Sequence, residues 1–316
     1  MAGASFTFRL APRQLLFAAI LVAVAAVVLG GSQFLIGPNT AASGYLTMLF
    51  LVSVVRAHSW RVRLLSAALS TVVAVLGFVV GGLGLWATLV ALVIVSLLQA
   101  FVTIGEASLL TRSPVNLLAF ASLSGGGAEI WQVLLGSLIG AGVILAFAAL
   151  ANTREHRIAP SASLAERFAY GMATAAGSLV IVAGATLIDF PYVGWVLLSF
   201  SIMLSLDPDA RASRGYLRVA GSAIGALLSV FIAMLPAPTP IIGALICLVM
   251  CVAYINSGNY ALFILFLTPA VLLTTSSEHP LWLLGAYRVE AVLLAAVIAF
   301  VCSAAIDLVM KRSTPP

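Results

Sequence analysis

The chain has 316 residues, of which 63% are hydrophobic and only 8% are charged, and its mean hydropathy is +1.19. Soluble globular domains carry about 25% charged residues, so this composition excludes a soluble globular protein. The formal net charge is +5, but no basic patch with interleaved aromatic residues is present, which argues against nucleic acid as a partner. The expected surroundings of the chain are therefore the lipid bilayer.

Apolar runs near the roughly 20 residues that cross a bilayer follow one another along the whole chain. They predict twelve transmembrane helices, six in each half. Those of the first half are 15–36, 42–56, 62–80, 85–101, 106–123 and 130–151. Those of the second half are 168–189, 192–206, 217–236, 240–256, 260–276 and 286–308. Several of them are short, so tilted or partly re-entrant helices are expected.

The two halves repeat each other at an offset of about 155 positions. Arg63 and Arg218 begin similar segments 155 positions apart, and Pro114 and Pro269 are separated by the same number. Six spans per half is an even number, so both halves enter the membrane from the same side. The sequence therefore predicts an all-α polytopic membrane protein of two parallel six-helix repeats. Such duplication is typical of transporters, whose substrate path lies between the repeats.

The predicted domains are the first repeat, 1–151, a cytoplasmic linker, 152–166, and the second repeat, 167–316. The linker is the only sizeable polar stretch in the chain. With the N-terminus inside, 13 of the 15 basic residues, Arg63 and Arg218 among them, fall on inner segments. This excess predicts that both termini are cytoplasmic.

The two basic residues outside this pattern, Arg112 and Arg288, are the first candidates for substrate binding. An arginine at bilayer depth is costly and normally faces a partner or a water-filled path. Its planar guanidinium can bind a carboxylate through two hydrogen bonds. Two alternatives stay open. Arg112 could lie at the cytoplasmic rim, balanced by Glu106, and Arg288 could form a structural pair with Glu278 or Glu290.

Polar residues interrupt the apolar runs around Pro114 and Pro269, where broken helices are predicted. Proline removes a helix hydrogen bond and frees a backbone carbonyl. Interrupted segments at matching places in two repeats point to a binding site. The candidate lining residues are Asn116, Asn259, Tyr260 and Thr268. The alternative is that these side chains form hydrogen bonds between packed helices.

Neither a metal nor another cofactor is expected. Cys247, Cys251 and Cys302 all lie inside apolar runs, and no histidine lies nearby to complete a metal site. Buried cysteine behaves as a small hydrophobic residue. The histidines and carboxylates form no reactive group, so an enzyme is not expected.

Several segments of the second half carry a family resemblance. In order they read Pro191-Tyr-Val-Gly-Trp, Leu206-Asp-Pro-Asp, Arg218-Val-Ala-Gly-Ser-Ala-Ile-Gly-Ala, Asn259-Tyr-Ala-Leu-Phe-Ile-Leu-Phe-Leu-Thr-Pro and Arg288-Val-Glu. This order resembles the fusaric acid resistance (FUSC) group of the aromatic acid exporter family, which is also similar to plant malate-permeable anion channels. The likeness covers roughly 185–305 well and 40–150 weakly. It implies an inner-membrane efflux carrier for aromatic or other weak organic acids.

The expected function is therefore proton-driven export of a small organic anion. Arg288 and Arg112 would bind the carboxylate, and Glu290 and Glu106 would carry the proton, because an intramembrane carboxylate can be neutralised by protonation. The alternatives are a passive anion channel and a membrane scaffold or flippase subunit. Full-length family members carry a large cytoplasmic domain after each membrane block, whereas nine residues follow Asp307 here. A periplasmic adaptor partner and a homo-oligomer both stay open.

Overall fold

The computed structural model describes residues 10–51, 59–101, 112–151, 163–204, 208–257, 259–275 and 279–313, and all regular structure in these ranges is helical. The twelve α-helices are α1 Pro12–Leu35, α2 Pro38–Leu51, α3 Trp60–Gly82, α4 Leu85–Phe101, α5 Ser113–Leu123, α6 Ile130–Ala151, α7 Leu164–Leu187, α8 Val193–Met203, α9 Pro208–Ala233, α10 Thr239–Ser257, α11 Tyr260–Thr274 and α12 Leu281–Ser313. Each predicted span overlaps one of them, although the start of the fifth span and the ends of the second, eighth and eleventh lie outside the described residues. The all-α prediction is confirmed over the described ranges.

Six of these helices are long and apolar enough to cross a membrane, judged by the described residues alone. The qualifying segments are Pro12–Leu35, Trp60–Gly82, Ile130–Leu150, Leu164–Leu187, Gly215–Ala233 and Leu281–Val309. This pattern is that of a multi-pass membrane protein. The other helices are shorter, and their crossing of the bilayer stays a prediction.

Contacts between helices divide the chain into two compact units. The first holds the described residues of Met1–Val22 and Leu198–Ala299, and the second holds those of Ala23–Leu197 and Phe300–Pro316. Within the second unit α7 packs on α4, where the rings of Phe101 and Phe168 lie 6.2 Å apart. The predicted boundary at 152–166 stays a prediction.

Small residues set the closest helix contacts in each unit. In the second unit Gly77 of α3 lies against the backbone carbonyl of Leu117 in α5. In the first unit Gly225 of α9 lies against the backbone carbonyl of Leu265 in α11, and Gly221 lies against the Ile264 side chain. A glycine has no Cβ, so it lets two membrane helices approach closely. In each unit a glycine thus brings its helix close to a backbone carbonyl of the neighbouring helix.

Candidate functional site

Two arginines are buried inside the first unit. The side chains of Arg218 in α9 and Arg288 in α12 have relative exposures of 0% and 1%. Because α9 begins at Pro208, ten residues before Arg218, this side chain lies about 15 Å along the helix. Removing a guanidinium from water is costly. The first unit therefore carries two buried cations.

The two arginines lie close enough to repel each other electrostatically, and the Tyr260 hydroxyl is within electrostatic reach of both. Nη2 of Arg218 donates a hydrogen bond of 3.3 Å to Oγ of Ser199 in α8. Among the described residues, Nε and Nη1 of Arg218 have no hydrogen-bond acceptor. A buried donor without an acceptor costs about 1–3 kcal/mol. An anion placed here would reduce both the repulsion and this cost.

Two further residues with hydroxyl groups, Tyr260 and Ser222, accompany Arg218 in the first unit. The Tyr260 hydroxyl lies within electrostatic reach of Arg218, and this buried oxygen has no hydrogen-bond partner of standard geometry within the described ranges. Ser222, one turn further along α9, also has a buried hydroxyl for which the described part of the chain offers no partner. A hydroxyl can donate a hydrogen bond to an anion. The group of Arg218, Arg288, Ser199, Ser222 and Tyr260 is called the arginine site below.

The start of α11 fixes the position of Tyr260. Oδ1 of Asn259 accepts a hydrogen bond of 3.2 Å from the backbone N–H of Leu262, so Asn259 caps the helix and Tyr260 is its first residue. The Tyr260 ring lies 6.3 Å from that of Phe263. Asn259, predicted to line the path, therefore serves as a helix cap beside the arginine site.

Helix α11 continues through Pro269, contrary to the predicted break there. Proline cannot donate to the carbonyl four residues earlier, which is that of Leu265. Gly225 faces this carbonyl, and a Cβ at Gly225 would lie 2.8 Å from the oxygen and 3.1 Å from Cδ of Pro269. Close packing against α9 therefore supports the helix. The interruption occurs earlier, since α10 ends at Ser257 and α11 begins at Tyr260.

Thr268 is fully buried, and its Oγ1 donates a hydrogen bond of 3.3 Å to the carbonyl of Ile264 within the same helix. This bond occupies the hydroxyl proton of Thr268, so it is not available to a ligand in the observed geometry. The predicted lining role of Thr268 stays a prediction.

Three other predicted residues belong to the first half of the sequence. Asn116 is fully buried, and its Nδ2 donates to the carbonyl oxygen of Ser70 at 3.2 Å and to Oγ of Ser70 at 2.9 Å. It therefore joins α5 to α3, as expected for a packing residue. Arg112 precedes α5 in the left-handed conformation, with φ 46° and ψ 52°. Both residues lie in the second unit, whereas Glu106 lies outside the described residues.

Glu290 is exposed, whereas Arg288 on the same helix is buried. Two residues correspond to about 200° of helix rotation, so the two side chains leave α12 in nearly opposite directions. The proton-carrying role of Glu290 stays a prediction.

Counting charged residues did not identify Arg218 or Arg63 as buried. Both were assigned to inner segments, but Arg63 is only 4% exposed and Arg218 is not exposed at all. Charge counting treats a basic residue near the end of an apolar run as part of a loop. The sequence contained a signal, because the two arginines lie 155 positions apart and each is the second residue of a predicted span.

The described part of the chain contains no group of three or more histidine, cysteine or acidic residues that could hold a metal ion. The residues of the arginine site offer positive charge and hydrogen-bond donors, with which such a site can bind an anion.

Comparison with known proteins gives one match. No curated protein and no solved structure shows a significant match to the chain. Residues 179–302 match the family model described as fusaric acid resistance protein-like. The matched residues include all five members of the arginine site. This match confirms the resemblance predicted from the second half of the sequence and supports the assignment of the chain to the fusaric acid resistance (FUSC) family.

Proposed function

We propose that this protein exports small organic anions, of the aromatic or weak-acid class, across the inner membrane and binds them at the arginine site. The observation that carries the proposal is the burial of Arg218 and Arg288 within electrostatic reach of each other. Two like charges in an apolar interior raise the free energy of the protein, and a bound anion lowers it. The family match supports membrane transport as the general activity.

The arginine site offers the geometry that a carboxylate requires. Nε and Nη1 of Arg218 have no acceptors among the described residues, so the N–H groups of both nitrogen atoms can donate to the oxygens of an anion. The hydroxyls of Ser222 and Tyr260 could donate further hydrogen bonds. Arg288 contributes a second positive charge. Arg112 and Asn116, in the second unit, would contact the anion elsewhere along its path.

The two repeats supply the framework of the proposed transporter. The equivalence of Arg63 and Arg218, both buried in the third helix of their half, supports duplication. The shared packing of the third helix on the fifth supports it further. In the proposal the repeats are parallel and both termini are cytoplasmic. A homo-oligomer and a periplasmic adaptor are compatible with this arrangement.

Proton coupling would require a carboxylate, for which Glu290 and Glu106 are the proposed groups. The exposure of Glu290 on the side of α12 away from Arg288 favours a second candidate, a passive anion channel. A channel needs basic or polar lining but no proton carrier. An imposed pH gradient separates the two once accumulation in protein-free liposomes, caused by diffusion of neutral benzoic acid, is subtracted. The remaining, protein-dependent accumulation should respond to the gradient for a proton-coupled carrier and not for a channel.

Uptake of radiolabelled benzoate into proteoliposomes tests the proposal. We expect Arg218→Gln and Arg288→Gln each to weaken benzoate affinity about ten- to a hundredfold, the loss of roughly 1.5–3 kcal/mol for a charge-assisted contact. Arg288→Lys should retain part of the binding, because lysine keeps the positive charge but lacks the planar guanidinium that can donate two parallel hydrogen bonds to a carboxylate. Arg61→Gln removes an exposed arginine and is the matched control. Wild-type affinity in folded Arg218→Gln and Arg288→Gln would end the proposal.

A further inference from the structure

Helices α9 and α12 run in opposite directions. A Cβ at Gly221 of α9 would lie 2.9 Å from Cγ2 of Ile264 in α11, and a Cβ at Gly225, one turn later, would lie 2.8 Å from Cβ of Thr268, one turn later in α11. Residue numbers rise together along this contact, so α9 and α11 are parallel. Six residues, 275–280, join α11 to α12, and such a short connection places two helices antiparallel. Helix α12 is therefore antiparallel to α9 as well.

A close contact between α9 and α12 sets the level of Arg288. A Cβ at Gly285 of α12 would lie 3.4 Å from Cβ of Ala226 in α9. Arg288 follows Gly285 by three residues, so it is level with the residue three before Ala226, which is next to Ser222. Arg218 lies one turn before Ser222 on the same face of α9. The Cα atoms of the two arginines therefore differ in level by about 7.5 Å, five residues of helix rise.

The hydroxyl groups of the arginine site lie at these two levels. Tyr260 lies one turn before the contact of α11 with Gly221, so it is level with Arg218. Ser222 is level with Arg288. The hydroxyls of Tyr260 and Ser222 are buried and have no hydrogen-bond partner in the described part of the chain, and the same holds for Nε and Nη1 of Arg218. Each level therefore combines one cation with one hydroxyl that can donate a hydrogen bond.

We infer that the arginine site binds organic dianions, which carry two separated carboxylate groups, more tightly than monoanions. This preference rests on the proposed function and narrows the class of anion that the site would take. Among the described residues of the first unit, Arg218 and Arg288 are the buried charged side chains. Two negative charges balance the charge of these cations, whereas one negative charge leaves a net positive charge in an apolar interior. One carboxylate at each level would contact one cation and one hydroxyl.

A dianion loses more hydration energy than a monoanion when it leaves water. The preference therefore requires that both carboxylates find a cation, and removal of either arginine should abolish it. A site with a single effective cation would instead bind both kinds of anion about equally or favour the monoanion. The two arginines thus determine charge selectivity together.

Two ligands of nearly equal shape test this inference. Phthalate carries two carboxylates at neutral pH, whereas monomethyl phthalate carries one carboxylate and one methyl ester. Their binding to the purified full chain in detergent is measured by displacement of radiolabelled benzoate. We expect phthalate to bind about ten- to a hundredfold more tightly than the monoester, the value of one further charge-assisted contact. Benzoate, a smaller monoanion, should also bind more weakly than phthalate, which excludes a steric effect of the methyl group.

Substitutions of Arg288 separate the effect of charge from that of packing. Arg288→Gln should weaken phthalate binding more than monoester binding, so that the preference for phthalate disappears. Arg288→Lys keeps the positive charge and should retain a preference for phthalate. Arg61→Gln, which changes an exposed arginine, should show the wild-type preference.

Equal affinities of the wild type for phthalate and the monoester would overturn the inference, whether or not the variants fold. A preference for phthalate that Arg288→Gln leaves unchanged would overturn it as well. In both cases a benzoate affinity that still depends on Arg218 leaves the proposed function standing. Benzoate affinity that neither arginine substitution changes would end the proposed function and the dianion preference together.

Discussion

Arg63 donates a hydrogen bond of 3.0 Å from Nη1 to the backbone carbonyl oxygen of Ala148, which joins α3 to α6. Its guanidinium also lies over the Trp60 ring, with 5.1 Å between Cζ and the ring centroid. Arg218, which follows Arg63 by 155 positions in the sequence, lies beside another cation instead. Arg63 thus contributes to packing, whereas Arg218 contributes to the proposed site.

Arg63→Gln should destabilise the protein. The substitution removes a buried, charge-assisted hydrogen bond and the contact with the Trp60 ring, and such a bond is worth about 1.5–3 kcal/mol. Thermal unfolding in detergent should show a lower midpoint for this variant. Arg61→Gln, which changes an exposed side chain two residues earlier, should unfold at the wild-type temperature. Equal midpoints for the two variants would exclude the anchoring role.

Arg218→Gln should have the opposite effect on stability. It removes one of two mutually repelling cations and reduces the number of buried donors without acceptors. The free energy of unfolding should rise by about 1–3 kcal/mol, the cost of such a donor, while benzoate affinity falls. Arg218→Lys keeps the positive charge and therefore the repulsion from Arg288, so it should raise the free energy of unfolding little. A loss of stability as large as that of Arg63→Gln would show that Arg218 is a structural residue.

Gly225→Ala should destabilise the contact between α9 and α11. A Cβ there would lie 2.8 Å from both the Leu265 carbonyl oxygen and Cβ of Thr268, and a backbone atom cannot move aside cheaply. Overpacking of this kind costs about 1–3 kcal/mol. Gly215→Ala on the same helix is the control, because the nearest atom to its Cβ would be Sδ of Met203 at 3.9 Å. The free energy of unfolding of this control should rise by about 0.5–1 kcal/mol, because alanine loses less backbone entropy on folding than glycine does.

Glu290→Gln tests the coupling of transport to protons. If Glu290 carries the proton, the variant should lose the stimulation of benzoate uptake by a pH gradient while its benzoate affinity stays that of the wild type. Benzoate affinity should be retained because the side chains of Glu290 and Arg288 lie on nearly opposite faces of α12. The measurement is uptake with and without the gradient. Undiminished stimulation in the variant would remove Glu290 from the coupling mechanism.

Helix positions could be predicted from the sequence because membrane helices consist of long apolar runs with polar ends. The run 85–101 coincides with α4, and 130–151 coincides with α6. The arginine site could not be predicted in full, because it depends on where a helix begins. The predicted span starts at residue 217 and places Arg218 at its edge, but the helix begins at Pro208, which places Arg218 nearly three turns from its start. The hydropathy pattern does not locate the start of a helix whose first turns are polar.

The roles of polar side chains depended on neighbours that the sequence does not specify. Asn116 and Asn259 were both predicted to line a path. In the structure Asn116 donates its amide hydrogens to Ser70, and Asn259 accepts a hydrogen bond from the backbone of α11. An asparagine can line a path, join two helices or cap a helix, because its side-chain amide both donates and accepts hydrogen bonds. The choice among them is made by the packing of the helices.

Two substitutions at Asn259 separate capping from direct contact with substrate. Serine is as good an N-cap as asparagine, whereas alanine costs about 1 kcal/mol at this position. If Asn259 acts by fixing the start of α11 and so the position of Tyr260, Asn259→Ser should transport benzoate with the wild-type KM. Asn259→Ala should raise KM and lower the unfolding temperature together, because the first turn of α11 would lose its cap. Tyr260→Phe removes only the hydroxyl near Arg218 and should raise KM at an unchanged unfolding temperature. Asn259→Ser with the KM of Asn259→Ala but wild-type stability would instead place the amide in contact with the transported anion.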